Sequence, residues 1–245
     1  MFAKYVGCGK ISEMNKDIIG TKIFKRYKYS VGTIFSNILF WFCVYFSLFL
    51  LAFTLCFTSS FVQGDSMRPT INDYEDYEHK SDIVYLNKLA DYTYGDIIVV
   101  QKPDVQVIKR VIGLPGDTID IVPKQETQSG VQVIRYYVER NGVAISEGYI
   151  RNVPSNTSDP NGMMAAYNRF EDFKQENPQL NYTESGALIV GEDEVFVLGD
   201  NRATSKDSSE AGCYKIANVL GKVEIIVYFN HNIVWELLKY FFWPF

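Results

Sequence analysis

From Tyr29 to Gly64 the chain carries no charged side chain, and this run constrains everything else in its 245 residues. As a helix, residues 34–57 alone measure roughly 36 Å at 1.5 Å per residue. That is enough to cross a hydrocarbon core of about 30 Å with some tilt. The apolar core of a cleaved leader is only about 7–15 residues long. The sequence therefore predicts a transmembrane helix within residues 31–60. Residues 1–28 carry seven lysines and arginines against Glu13 and Asp17, a net +5, so the remainder of a chain whose formal total is −5 carries −10. A basic flank, an apolar run and an acidic remainder describe a membrane protein with a cytoplasmic N-terminus. Its expected partner is the lipid bilayer, and nucleic acid is not one.

Beyond the span the pattern turns to short β-branched runs. Residues 82–86, 95–100, 105–112 and 118–122 alternate with turns such as Leu114-Pro115-Gly116-Asp117, at intervals that predict antiparallel sheet. Residues 131–138 and 143–145 flank Asn141-Gly142, a hairpin signal. Residues 152–184 are polar, with a short helix expected at 163–173, so 123–190 reads as a cap-like insertion with a long surface loop. Strand pattern returns at 194–198 and 219–228. The final stretch from Ile233 to Phe245 is aromatic and amphipathic, and an interfacial segment fits it better than a second span. The acidic cluster from Asn72 to Lys80 lacks calcium-loop spacing and predicts a solvated loop. Of the four cysteines, Cys8, Cys43 and Cys56 lie in or before the span and Cys213 alone lies beyond it, so no disulfide framework is expected. With His79 and His231 they make no metal-ligand spacing, and neither metal nor cofactor is expected.

Ser66 stands where the span ends, in the turn Gly64-Asp65-Ser66-Met67-Arg68-Pro69-Thr70. A serine hydroxyl needs a base to become a nucleophile. Neither histidine has a motif around it. A lysine can serve if burial lowers its pKa from about 10.4 toward neutrality, and a shift of some three units costs about 4 kcal/mol. Lys109 is the candidate because it lies inside the apolar run Val107-Ile108-Lys109-Arg110-Val111-Ile112. Alternation places it on one strand face with Val107 and Val111. The other outcome for such a lysine is an edge strand from which it snorkels to water.

Three blocks resemble those of the bacterial type I signal peptidases, membrane-bound Ser/Lys proteases. The Ser66 turn is similar to the nucleophile block. Lys109-Arg110-Val111-Ile112-Gly113-Leu114-Pro115-Gly116-Asp117 is similar to the general-base block. Gly199-Asp200-Asn201-Arg202, followed by Ser205-Lys206-Asp207-Ser208, resembles the third. The resemblance implies Ser66 as nucleophile and oxyanion donor through its N–H, and Lys109 as general base. It implies that Ser205 orients the lysine amine, that Asp207 supports the Ser205 region and that Arg110 pairs with Asp200. Some members add a hydroxyl two positions before the nucleophile, and this chain has Gly64 there. The family usually has an arginine where this chain has Ser209, so the expected Asp207–arginine pair is missing and Ser209→Arg is expected to gain activity or stability.

The sequence therefore predicts a mainly β protein, with one N-terminal transmembrane helix and an antiparallel, barrel-like catalytic domain carrying a cap-like insertion. The expected divisions are a basic tail over 1–30, the span over 31–60, the catalytic domain over 61–122 and 191–230, the insertion over 123–190 and the aromatic tail over 231–245. The resemblance implies an endopeptidase, anchored with its catalytic domain outside, that cleaves signal-peptide-bearing preproteins after small residues. A single span and a lysine base fit its Gram-positive type. The weakened third block leaves open a second reading, a related assembly protein for exported or pilus subunits with little or no proteolytic activity. A self-cleaving repressor-like protease would need a DNA-binding module where this chain has its span.

Overall fold

A computed structural model describes residues 31–74, 81–128, 130–150, 159 and 162–228. The basic tail, His79, most of the acidic cluster, His231 and the aromatic tail lie outside them. Two compact units divide after Ala52. Helix α1 (Val31–Cys56) buries none of its residues, and its mean hydropathy reaches 2.3 over its most apolar stretch, so it is long and apolar enough to cross a membrane. The helix ends at Cys56, short of the expected residue 60, because the chain becomes strand β1 (Phe57–Phe61). β1 pairs along its whole length with β2 (Ile83–Asn87). An uncharged sequence run does not reveal that boundary, since both structures suit its residues.

The remaining strands are β3 (Ile97–Gln101), β4 (Gln106–Gly113), β5 (Thr118–Gln128), β6 (Val131–Arg140), β7 (Val143–Ala144), β8 (Leu188–Ile189), β9 (Glu194–Leu198), β10 (Tyr214–Lys215) and β11 (Val219–Val227). Helix α2 (Met163–Glu176) lies between β7 and β8, and the short α3 (Ser208–Ala211) between β9 and β10. The strands form a seven-stranded sheet in the order β1-β2-β11-β3-β4-β9-β10 and a four-stranded sheet in the order β7-β6-β5-β8. Every pairing is antiparallel. The fold is thus mainly antiparallel β, and the larger sheet curls into a half-barrel.

β3 explains how the site comes to be dry. Its residues Ile97, Ile98, Val99 and Val100 are all buried, because each face of the strand meets a different core. Ile97 and Val99 pack with Met67, Ile71, Leu86 and Ile108, while Ile98 and Val100 pack with Val111, Val195 and Val197. A strand covered on both faces reads as a continuous apolar run rather than an alternating one. β4 lies between β3 and β9, in the interior of the sheet, with Ile98 opposite Lys109. Lys109 therefore has no edge from which to reach water.

Of the segment expected to be a cap with a long surface loop, residues 151–158, 160 and 161 lie outside the described residues, and its helix is part of the core. Helix α2 runs three residues beyond its expected end and buries Met163, Ala166, Phe170 and Phe173. These residues share one core with Ile119 and Ile121 of β5, Ile112 of β4, and Phe196 and Leu198 of β9. The second sheet already begins at Thr118, and its apolar face closes over the first. The spacing of the four buried α2 residues fits one helix face, but the polar residues between them conceal it from composition.

Candidate active site

The turn carrying Ser66 is held open by a residue that the sequence assigned to a solvated loop. Asn72 is fully buried. Its Nδ2 donates to the Val62 carbonyl at 2.7 Å and to the Gly64 carbonyl at 3.0 Å. Its Oδ1 accepts from the Asp82 N–H at 2.8 Å, while its own N–H donates to Asp82 Oδ2 at 2.7 Å. Both ends of the loop are thereby closed on the start of β2, and Met67 and Ile71 anchor it from the apolar side. Gly64 supplies the left-handed backbone, φ 86°, with which the chain enters the turn.

Within this frame Ser66, half-buried, meets Lys109. Lys109 Nζ donates to Ser66 Oγ at 2.8 Å and to the Ile108 carbonyl at 2.9 Å. The lysine is 3% exposed. Burial pushes its amine down from 10.5 to about 8; Lys102 adds a smaller push in the same direction, while Asp207, Asp200 and Asp65 oppose it. A lysine in this state holds a sizeable neutral fraction near physiological pH and can accept a proton from the hydroxyl it touches. A groove of about 490 Å³ opens beside the pair, lined by residues 60–63 at the end of β1 and 104–108 entering β4, with Phe61 and Val105 exposed on its walls.

The other residues singled out from the sequence surround this pair. Arg110 Nε donates to Asp200 Oδ1 at 2.8 Å and Nη2 to Oδ2 at 2.5 Å, a two-bond ion pair. Arg110 also donates to the Gly95 carbonyl at 2.7 Å, and its guanidinium lies 4.0 Å from the centre of the Tyr149 ring. Thr70 Oγ1 donates to Asp200, which links the nucleophile turn to the third block. Asp207, fully buried, accepts the Gly199 N–H at 2.8 Å, the Ser209 N–H at 3.0 Å and the Ser209 hydroxyl at 2.8 Å.

Ser205 departs from its expected contact. It is buried against Gly199, but its Oγ makes no hydrogen bond among the described residues, and no Ser205–Lys109 bond is present. The amine is instead satisfied by Ser66 and the Ile108 carbonyl. At Ser209, where an arginine is expected to help, Asp207 already has partners. Ser209 is fully buried, and its hydroxyl joins Asp207 to Arg169 Nε at 2.8 and 3.3 Å.

Three further contributors carry no sequence motif or lie in one whose role was not assigned. Asn201 N–H donates to the Ser66 carbonyl at 3.0 Å, and its side chain donates to the Asp65 carbonyl at 3.1 Å. Arg202, 1% exposed, donates to the Gly199 carbonyl at 3.0 Å and forms a two-pronged ion pair with Glu147. Glu147 also accepts the Tyr149 hydroxyl at 2.9 Å. Buried Arg202 signals its role only through its place in the Gly199-Asp200-Asn201-Arg202 block; Glu147 has no local signal at all. Cys213 is no competing nucleophile, because burial pushes its thiol up to about 12.

Comparison with known proteins places these observations among relatives. Residues 35–228 match the family model of signal peptidase, peptidase S26. The chain is similar to signal peptidase I P of Bacillus subtilis subsp. natto, with 30% identity over 79% of this chain and 90% of the relative. It is also similar to signal peptidase I S of Bacillus subtilis strain 168, with 28% identity over 73% of this chain and 81% of the relative. A crystal structure of a signal peptidase I from Enterococcus faecalis V583 aligns over 55% of this chain and 98% of its own, with 28% identity and a TM-score of 0.35.

Proposed function

The chain belongs to the peptidase S26 family of signal peptidases, and on that premise we propose that Ser66 and Lys109 form its catalytic pair. It is a serine endopeptidase that removes signal peptides from exported proteins. In the proposed reaction Ser66 Oγ attacks the scissile carbonyl carbon while neutral Lys109 takes the hydroxyl proton. The Ser66 N–H stabilises the oxyanion of the tetrahedral intermediate. The lysine ammonium then protonates the leaving amine, which departs as the new N-terminus of the mature protein and leaves the signal peptide acylated on Ser66. Lys109, neutral again, activates the water that hydrolyses this ester.

The single observation that carries this reading is the 2.8 Å hydrogen bond between Ser66 Oγ and the amine of a buried interior-strand lysine. The groove beside it supports an extended substrate segment running between residues 60–63 and 104–108, with small side chains at the −1 and −3 positions entering shallow apolar recesses. Arg110–Asp200 and Asp207 hold the base strand and third block in register. The basic flank supports an orientation with the N-terminus in the cytoplasm and the catalytic unit on the outer face. A scissile bond that emerges at the membrane then meets a tethered site.

The test is cleavage of a preprotein bearing an Ala-x-Ala site by the detergent-solubilised full chain, beside its Ser66→Ala variant. Cleavage after that site, abolished in the variant, is the expected result. Undiminished cleavage by Ser66→Ala would remove Ser66 from the chemistry.

A further inference from the structure

We propose that Arg169 of α2 is a positioning residue for the catalytic pair, acting through the turn that follows β9. The inference rests on the reading above that Ser66 and Lys109 carry the chemistry. Arg169 flanks the buried face of its helix and is itself half-buried. Its guanidinium points at one target from three positions. Nη2 donates to the Arg202 carbonyl at 2.7 Å, Nη1 to the Ala203 carbonyl at 3.3 Å and Nε to Ser209 Oγ at 3.3 Å. A planar fork of fixed donors suits such a set of acceptors, and a lysine amine does not.

Both branches of this contact lead to the site. Through Ser209 it reaches Asp207 Oδ1 at 2.8 Å, and Asp207 Oδ2 holds the Gly199 N–H at 2.8 Å. Through the Arg202 and Ala203 carbonyls it fixes the main chain directly after Asn201, whose N–H grips the Ser66 carbonyl at 3.0 Å. The turn has no slack on its inner side. A Cβ placed on Gly199 would lie 2.5 Å from the Ser66 carbonyl oxygen and 2.1 Å from Ser205 Oγ. The turn is thus pinned against Ser66 on one side and against Arg169 on the other, while Glu147 fixes the Arg202 side chain from the loop that follows β7. When Arg169 is removed, the turn loses its outer support, and the Ser66 main chain is held by a partner free to move. Displacement of a reacting group by about 1 Å costs on the order of 10²-fold in rate, so a fraction of that displacement gives about ten-fold.

The experiment measures kcat and KM on the Ala-x-Ala preprotein for the full chain in detergent. The variants are Arg169→Ala, Arg169→Lys, Ser209→Ala and the Arg169→Ala/Ser209→Ala double variant, with Ser66→Ala as control and thermal unfolding followed for each. Arg169→Ala is expected to lower kcat about ten-fold with KM within two-fold of wild type. Arg169→Lys, which keeps the charge and loses the fork, is expected to recover only part of that loss. Because Arg169 and Ser209 act through one chain of contacts, the double variant is expected to lose much less than the product of the two single losses. A folded Arg169→Ala with wild-type kcat, or losses that multiply independently, overturns the proposal. Should Arg169→Ala not fold, the same kcat criterion applies to Arg169→Lys. Wild-type cleavage that persists in Ser66→Ala would strike at the dyad itself and leave the two failures distinguishable.

Discussion

Lys109 combines a residue type that belongs on the surface with a position in the driest part of the sheet. Its lowered pKa, from 10.5 to about 8, corresponds to about 3 kcal/mol at 1.36 kcal/mol per unit, a cost that the surrounding cores must offset. The sign of the pH effect follows directly. Between about 8 and 10.5 the unfolded chain binds the proton and the folded chain does not, so stability rises with pH through that window. Below it both states are protonated and the full penalty is present. Lys109→Met is therefore expected to abolish cleavage while raising stability at pH 7 by about 1–3 kcal/mol, since an apolar side chain of similar length replaces a buried charge. Urea unfolding at pH 7 and pH 10 checks both parts: the gain should shrink at the higher pH. A Lys109→Met chain less stable than wild type at pH 7 would contradict the burial argument. Ser66 and Lys109 were legible because each sits in a continuous sequence block. Asn72 was not, because an asparagine at the edge of an acidic cluster looks like any solvated loop residue until Asp82 closes on it from ten positions away.

The turn from Gly199 to Ser205 shows what an element contributes beyond its residues. Asp207 holds its first N–H, Asn201 holds the Ser66 carbonyl, and Gly199 permits backbone and Ser205 to approach within distances that no side chain allows. Gly199→Ala is accordingly expected to cost more than 2 kcal/mol and to reduce cleavage by at least ten-fold, because a Cβ there must displace the Ser66 main chain or Ser205. Thermal unfolding and the preprotein assay together test this; wild-type values in both would mean that the turn has room to yield. The strands were readable in advance because β-branched runs sat between glycine, proline and aspartate turns. β1 was hidden inside the uncharged run that also forms α1. The burial of α2 was hidden by long-range packing, since Phe170 stacks edge-on against Phe196 of β9, which local periodicity cannot locate.

At the scale of the whole molecule, the chain joins an apolar helix fit to cross a membrane to a mainly antiparallel β unit of the signal peptidase family. Its second sheet and α2 share a core with the base strand, and the loop after β7 and α2 supply Glu147 and Arg169 to the third block. The proposed reaction depends on activation of Ser66 by a neutral Lys109. The most direct measurement is the rate at which an acylating, serine-directed lactam probe modifies Ser66 in the full chain in detergent. It would be located by peptide mass spectrometry and followed from pH 6 to pH 10. The rate is expected to rise about ten-fold per unit at low pH, bend near the Lys109 pKa of about 8, and vanish in Lys109→Met. Labelling of Ser66 that ignores pH across this range, or that survives the loss of Lys109, would contradict the proposed reaction.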